Sequence, residues 1–239
     1  MKDRVRLLKV AVDIASTNVA GDATIDYLAD ESSKTVYLVN SETLMLLENH
    51  EDQETLLESC DMILPGTSSV NSSIDEVLGF KRDPFFVDSY FDRIFEYCIE
   101  NGLEIQLIAG SEAQFNSVQE NIHEKWSYLT LSGTFLTENE ESNEFIVNEI
   151  NSIAPDVLIL ALSENTQLEL MKEYCGQMNA GVILFTGNIL YNKAVSEAKV
   201  PESIEKLRIG NLYKWFMKDS SGKSLFNNIK MKFRLKRDK

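Results

Sequence analysis

The chain has 239 residues, of which 44% are hydrophobic and 26% charged, with only four prolines. Those values exclude a disordered, collagen-like or coiled-coil chain and leave enough length for one sizeable core. A formal net charge of −15 excludes general nucleic-acid binding, because a phosphate backbone would be repelled.

The N-terminal run MKDRVRLLKVAVDIAS is basic and then apolar, but Lys9 and Asp13 interrupt it. It therefore makes a poor secretory signal, and no stretch reaches the ~20 apolar residues that cross a bilayer. The cytoplasm is the expected location. Short β-rich runs then follow in order: Leu7–Val12, Thr35–Val39, Met62–Leu64, Leu103–Ala109, Tyr128–Leu131, Val157–Leu162 and Gly181–Phe185. Several are apolar at consecutive positions, which suits strands covered on both faces.

Longer amphipathic segments separate these runs. Asp83-Pro84 reads as a helix start, with Asp83 at the cap and Pro84 at the first helical position. Phe86, Tyr90, Ile94 and Cys98 repeat at helical spacing, and Gly102 ends that helix. Ser111 to His123, Ser142 to Ser152 and Asn165 to Tyr174 read as further helices. Strand–helix alternation of this kind predicts a doubly wound, mostly parallel α/β sheet, Rossmann-like, with helices on both faces. The expected division is an α/β domain over residues 1–200 and a basic helical appendage over 201–239.

In such a sheet, ligands sit beyond the carboxyl ends of the strands. The turns expected there are Asn40-Ser41, Pro65-Gly66-Thr67-Ser68-Ser69, Gly110-Ser111, Ser132-Gly133-Thr134, Ser163-Glu164-Asn165 and Thr186-Gly187-Asn188. Small residues let backbone amides approach a phosphate, and helix N-termini favour an anion. The same residue types also make turns and helix caps.

Cys60, Cys98 and Cys175 form no CxxC and read as small buried hydrophobes. With His50 and His123 the only histidines, neither a metal site nor a cofactor is expected. No GxGxxG, Walker loop or GxSxG elbow occurs, which disfavours an unrelated dinucleotide, nucleotide or hydrolase site.

The charge is unevenly spread. From Lys214 to Lys239 there are nine basic and two acidic residues, a net +7, against 14 basic and 36 acidic residues elsewhere, a net −22. Leu225, Phe226, Ile229 and Phe233 fall on one helical face, flanked by Lys230, Arg234, Lys236 and Arg237, with Trp215 and Phe216 upstream. A basic helix with an apolar stripe suits an anionic membrane surface. It also suits packing on the acidic body of its own chain.

The ordered set of motifs resembles the WecG/TagA/CpsF family of bacterial glycosyltransferases, glycosyltransferase family 26, from about residue 8 to residue 218. Leu38-Val39-Asn40-Ser41-Glu42 stands where the family has a T-x-N-P-E motif. Cys60-Asp61-Met62-Ile63-Leu64-Pro65-Gly66-Thr67 corresponds to A-D-x-v-x-P-D-G. Ile105 to Ser111 corresponds to a strand ending in a glycine loop, and Gly133-Thr134-Phe135 to G-Y-F. Ile150-Asn151-Ser152-Ile153-Ala154-Pro155-Asp156-Val157-Leu158-Ile159-Leu160 matches I-N-x-x-x-P-D-x-l-x-V closely. Ser163 to Leu168 resembles G-x-P-K-Q-E, and Lys199-Val200-Pro201 resembles R-A-P.

The resemblance implies transfer of an N-acetylhexosamine-type sugar from a UDP-sugar to a polyprenyl-diphosphate-linked acceptor in cell-surface polysaccharide synthesis. It implies substrate binding by Asn40, Thr67, Ser68, Gly110, Ser111, Gly133, Gln167 and Lys199. It also implies a peripheral place on the inner face of the membrane, for which the pattern of the tail offers Trp215, Phe226, Lys230, Arg234, Lys236 and Arg237. Departures accompany the matches. The P-D-G aspartate, the family's expected general base, is Gly66, which has no side chain to take a proton. Leu38, Leu168 and Lys199 replace the family's Thr, Glu and Arg. Substitute carboxylates to consider are Asp61, Asp75, Glu76, Glu164 and Glu169. The alternative is a catalytically inactive relative that partners or regulates a true glycosyltransferase, with a homo-oligomer also open.

Overall fold

The computed structural model describes residues 3–30, 32–48, 54–129, 131–136 and 143–190, together with residues 231 and 234. Eight strands and eight α-helices are described among them: β1 (Arg4–Leu7), β2 (Val10–Asp13), α1 (Thr17–Leu28), β3 (Lys34–Val39), α2 (Ser41–Glu48), α3 (Glu54–Glu58), β4 (Met62–Pro65), α4 (Ser68–Leu78), α5 (Val87–Asn101), β5 (Ile105–Ala109), α6 (Glu112–Lys125), β6 (Leu131–Phe135), α7 (Asn143–Ile153), β7 (Val157–Ala161), α8 (Glu164–Tyr174) and β8 (Val182–Phe185). Six strands form one sheet in the order β4-β3-β8-β7-β5-β6, and every pairing in it is parallel.

Alternating residues of the central strands enter two cores. Tyr37, Val39, Leu158, Leu160, Ile183 and Phe185 meet α2, α3, α4, α7 and α8 on one face. Val36, Leu38, Ile105, Leu107, Val157 and Leu184 meet α1, α5 and α6 on the other. Helices therefore cover both faces, as a doubly wound sheet requires. Each fully buried aliphatic side chain of this kind contributes roughly 1.5–3 kcal/mol. The consecutive apolar runs in the sequence have their cause here, since no face of these strands meets water.

The structure departs from the sequence reading in three places. The first predicted strand, Leu7–Val12, is a hairpin: β1 and β2 pair antiparallel about Leu8, whose φ is 54°. The helix expected from Pro84 begins at Val87 instead, with no side-chain cap at Phe86. Phe85 is buried, its carbonyl accepts from Asn71 Nδ2 at 2.6 Å, and the Phe86 amide donates to Thr17 Oγ1 at 2.8 Å. Tertiary contacts thus hold residues 84–86 extended. The strand expected over Tyr128–Leu131 runs from Leu131 to Phe135, so it contains the segment expected as its turn.

The hairpin closes one edge of the sheet. Asp13, only 3% exposed, accepts from Arg4 Nε at 2.8 Å and from the Ile63 amide at 2.7 Å. Ile63 lies on the edge strand β4, so Asp13 satisfies an edge amide that another chain could otherwise pair with. Two of the three cysteines are buried as expected, and Cys175 is partly exposed. Cys60 and Cys98 are buried, and burial pushes both thiols up to about 12, away from thiolate reactivity.

Replacing Asp13 with Ala should cost about 2–3 kcal/mol, because it strands Arg4 and leaves the Ile63 amide unsatisfied. Urea denaturation of both forms measures it, and a loss below about 0.5 kcal/mol would remove this role from Asp13.

Candidate active site

Parallel pairing puts the carboxyl ends of β3, β4, β5, β7 and β8 on one edge. Leaving β5 the chain crosses to β6, on one side; leaving β7 it crosses to β8, on the other. Strand order therefore reverses between β5 and β7, the place where doubly wound sheets open a crevice. The Gly110 amide donates to Ala161 O across that junction at 3.1 Å. Gln114 of α6 reaches over to the β8 turn, its Nε2 donating to Asn188 Oδ1 at 2.8 Å.

The four helices that the chain enters directly from β3, β4, β5 and β7 start at this edge, and each has a side-chain cap. Asn40 Oδ1 accepts from the Glu42 and Thr43 amides at 2.8 and 2.9 Å. Thr67 Oγ1 accepts from Val70 N, Ser111 Oγ from Gln114 N, and Ser163 Oγ from Thr166 N. These caps satisfy amides that a helix leaves unpaired, and they gather the positive ends of four dipoles. Glu42, Glu112 and Glu164 occupy the first turns of α2, α6 and α8, whereas α4 has no acidic residue in its first turn.

Under the turns lies a buried carboxylate. Glu164, the first residue of α8, is 3% exposed. It accepts from Asn40 Nδ2 at 2.6 Å, Thr43 Oγ1 at 2.8 Å, Tyr37 Oη at 3.1 Å and Gln167 Nε2 at 3.4 Å. Gln167 is fully buried, and its Oε1 accepts from the Gly187 amide at 2.9 Å. The cluster thus ties the ends of β3, β7 and β8 together. Burial raises the Glu164 carboxyl above its ordinary range, offset in part by the bonds from Thr43, Asn40 and Tyr37. Burial also raises the Tyr37 phenol well above its usual value, and the Glu164 carboxylate adds to that.

Of the residues expected to bind substrate, Asn40, Thr67, Ser68, Gly110, Ser111 and Gln167 all lie at this edge. Asn40 and Gln167 are engaged internally, with both ends of each amide hydrogen-bonded within the protein. Gly133 lies inside β6, opposite Leu107, rather than in a turn. A Cβ there would collide with Leu107 O, which explains the glycine by close backbone approach. Lys199 lies outside the described residues, as do Trp215, Phe226, Lys230, Lys236 and Arg237. Arg234, expected at a membrane, forms an ion pair with Glu48 of α2, and Met231 is buried in the core on that face.

Gly66 sits at the end of β4, its amide donating to Val39 O at 2.7 Å. A Cβ at position 66 would collide with Ile189 Cδ1 and lie 3.1 Å from Val39 O. Ile189 therefore fills the space a side chain at 66 would enter. The substitute carboxylates do not stand open beside it. Asp61 lies at the opposite end of β4 and accepts from the Thr35 amide at 2.9 Å. Asp75, on α4, pairs with Arg82 at 3.2 Å; Glu76 follows it on the same helix. Glu164 is enclosed by donors, and Glu169 is exposed on α8. A separate pocket of about 300 Å³ opens between α5 and α6, lined by residues including Phe91, Phe95, Trp126 and Leu190, and none of the expected substrate residues lines it.

Sequence reasoning named Glu164 only as a spare carboxylate and missed Tyr37, Thr43, Ile189 and Arg82. An acidic residue directly after the Ser163 cap was the available signal. Three of its four partners stand more than 120 residues earlier, so no local pattern reveals the cluster.

The description "Glycosyl transferase WecG/TagA/CpsF family" belongs to a family model that matches residues 5–235. That span agrees with the resemblance read from the motifs and extends it at both ends. No curated protein matches the chain.

Two outcomes test this geometry. Gly66→Ala should cost about 1–3 kcal/mol through overpacking, and less in a protein already carrying Ile189→Ala. Equal costs in both backgrounds, read from chemical denaturation, would show that Ile189 does not fill the space. The second concerns pH. A carboxyl raised in the folded state stabilises the fold below its unfolded value and loses that contribution as pH rises through the folded value. Wild type should therefore gain stability relative to E164Q between neutral pH and 4.5, the ordinary value for the group. Parallel melting curves across that range would contradict a raised Glu164.

Proposed function

This chain belongs to the WecG/TagA/CpsF family of glycosyltransferases, and from that premise we propose that it takes an N-acetylhexosamine-type sugar from a UDP-sugar and delivers it to a polyprenyl-diphosphate-linked acceptor. The observation that carries the reading is the convergence of four capped helix starts on the edge where strand order reverses. A diphosphate is a dianion or more, and amides at helix starts favour it. The α4 start is the best suited, since no carboxylate of its own first turn competes there. Thr67 and Ser68 at that start, and Gly110 and Ser111 at the start of α6, are the proposed donor contacts. Lys199 is the proposed cation, carried over from the resemblance.

Asn40 and Gln167 take a different role from direct substrate binding. Their amides face inward onto Glu164, so in this proposal they shape the wall of the crevice. The acceptor is a lipid, so the enzyme has to work at a membrane. No described helix is long and apolar enough to cross one. The proposed contact is peripheral, through the basic stretch around Trp215, Phe226, Lys230, Lys236 and Arg237, with Arg234 turned to the domain instead. Residues 201–239 are accordingly proposed as an appendage on the domain of residues 1–200, seated by Met231.

A second reading has its own observation. At Gly66, where the resemblance expects the base, there is no carboxylate, and Ile189 would have to move for a side chain to fit. That favours a relative that binds the donor without turning it over, acting beside a true glycosyltransferase.

The test separates the two. UDP-N-acetylhexosamines should raise the melting temperature, since a ligand at a hundred times its Kd adds about 2.7 kcal/mol. Labelled sugar appearing in a lipid-diphosphate acceptor marks the transferase, and binding without transfer marks the inactive relative. No stabilisation by any UDP-sugar would end the donor reading. For the membrane, reversing Lys230, Lys236 and Arg237 to Glu should release the protein from anionic liposomes in sedimentation, without removing the buried Met231. Unchanged pelleting would end the membrane reading.

A further inference from the structure

We infer that Glu164 is the positioning residue of the strand-end site: its carboxylate aims the Asn40 and Gln167 amides and so fixes the turns after β3, β7 and β8 as one wall for a nucleoside diphosphate. The inference rests on the donor reading above for its ligand and on the geometry alone for its mechanism. The side-chain hydrogen bonds to the Glu164 carboxylate come from two stretches of chain: Tyr37, Asn40 and Thr43 around the end of β3, and Gln167 from its own helix. Gln167 passes the constraint on to a third, because its Oε1 holds the Gly187 amide of the β8 turn.

Each amide is oriented by what its other end does. Asn40 Oδ1 takes the first amides of α2, which leaves Nδ2 to be directed, and Glu164 directs it. The β8 turn lies directly against the carboxylate. Gly187 has a φ of 55°, and a Cβ there would collide with Glu164 Oε1. Glycine at 187 and Glu164 are therefore components of a single arrangement. A buried carboxylate without these donors would be strongly unfavourable, so each donor lost weakens the hold of the cluster on the turns. Glu164 is almost wholly buried and so acts through its neighbours.

The experiment uses the full chain as wild type, E164A and E164Q. UDP affinity is measured by calorimetry and the exchange of the Thr43 and Gly187 amides by hydrogen exchange, each with and without acetate. E164A should bind UDP about tenfold more weakly or worse, the scale on which loss of a supporting shell is felt. Both amides should exchange faster, while those of β5 stay protected. Acetate supplies a carboxylate to the vacated space and should restore affinity and protection, which a loss of bulk packing would not allow. E164Q keeps the shape but turns an NH2 toward donors, so it should show the same loss without rescue; it also serves if E164A does not fold. Unchanged affinity and protection in the variants would overturn the inference. Tighter UDP binding would also overturn it, since Glu164 would then be blocking the site. If wild type binds no UDP, the donor reading fails, and amide exchange alone decides whether Glu164 positions the turns.

Discussion

A carboxylate withdrawn from water must be met by donors, and in this protein that requirement joins the ends of three strands. Glu164 is enclosed at the start of α8, and Tyr37, Asn40, Thr43 and Gln167 all direct hydrogen-bond donors at it. The strand register delivers them. β3 is held beside β8, and β8 beside β7, so the turn that follows each strand is within reach of the first residue of α8. The Tyr37 ring stacks on Phe185 with centroids 5.6 Å apart, which links the same strands through the apolar layer beneath. Polar closure above and aromatic packing below act on one set of backbone segments.

That arrangement changes how the retained family residues should be understood. Asn40 and Gln167 stand where the resemblance expects motif residues, yet both amides are satisfied inside the protein. Retention of a polar residue at a strand end is therefore compatible with a supporting role, set behind the residues that would meet the ligand. The position at which the resemblance expects a base is a structural matter as well as a chemical one. Gly66 lacks a carboxylate, and Ile189 occupies the direction in which one would point. Helix starts at the carboxyl edge favour an anion, while Gly66, where the resemblance expects a base, faces an apolar side chain.

The two ends of the chain close the fold in different ways. The β1–β2 hairpin brings Asp13 to the Ile63 amide and so caps the β4 edge. Met231 enters the core on the face of α2, and Arg234 pairs with Glu48. A tail of net +7 on a body of net −22 thus has an attachment to its own domain through at least one of its cations.

Composition and pattern alone established the doubly wound class, both helical faces and the strand-end turns other than Ser132-Gly133-Thr134, which lies inside β6. They did so because burial on two faces forces consecutive apolar residues, and because caps such as Ser111 and Ser163 act within three residues of themselves. The family motifs around residues 150–160 were legible for the same local reason. Tertiary structure decided the rest. It held Pro84 to Phe86 extended through Thr17 and Asn71, and it put Gly133 inside a strand because its backbone approaches Leu107 too closely for a Cβ. It also brought Glu164 to Tyr37, Asn40 and Thr43, and Ile189 to Gly66. The Glu164 contacts span 121 to 127 residues, and Gly66 and Ile189 follow two different strands. Such pairings depend on the order of strands in the sheet, and a one-dimensional pattern does not carry that order.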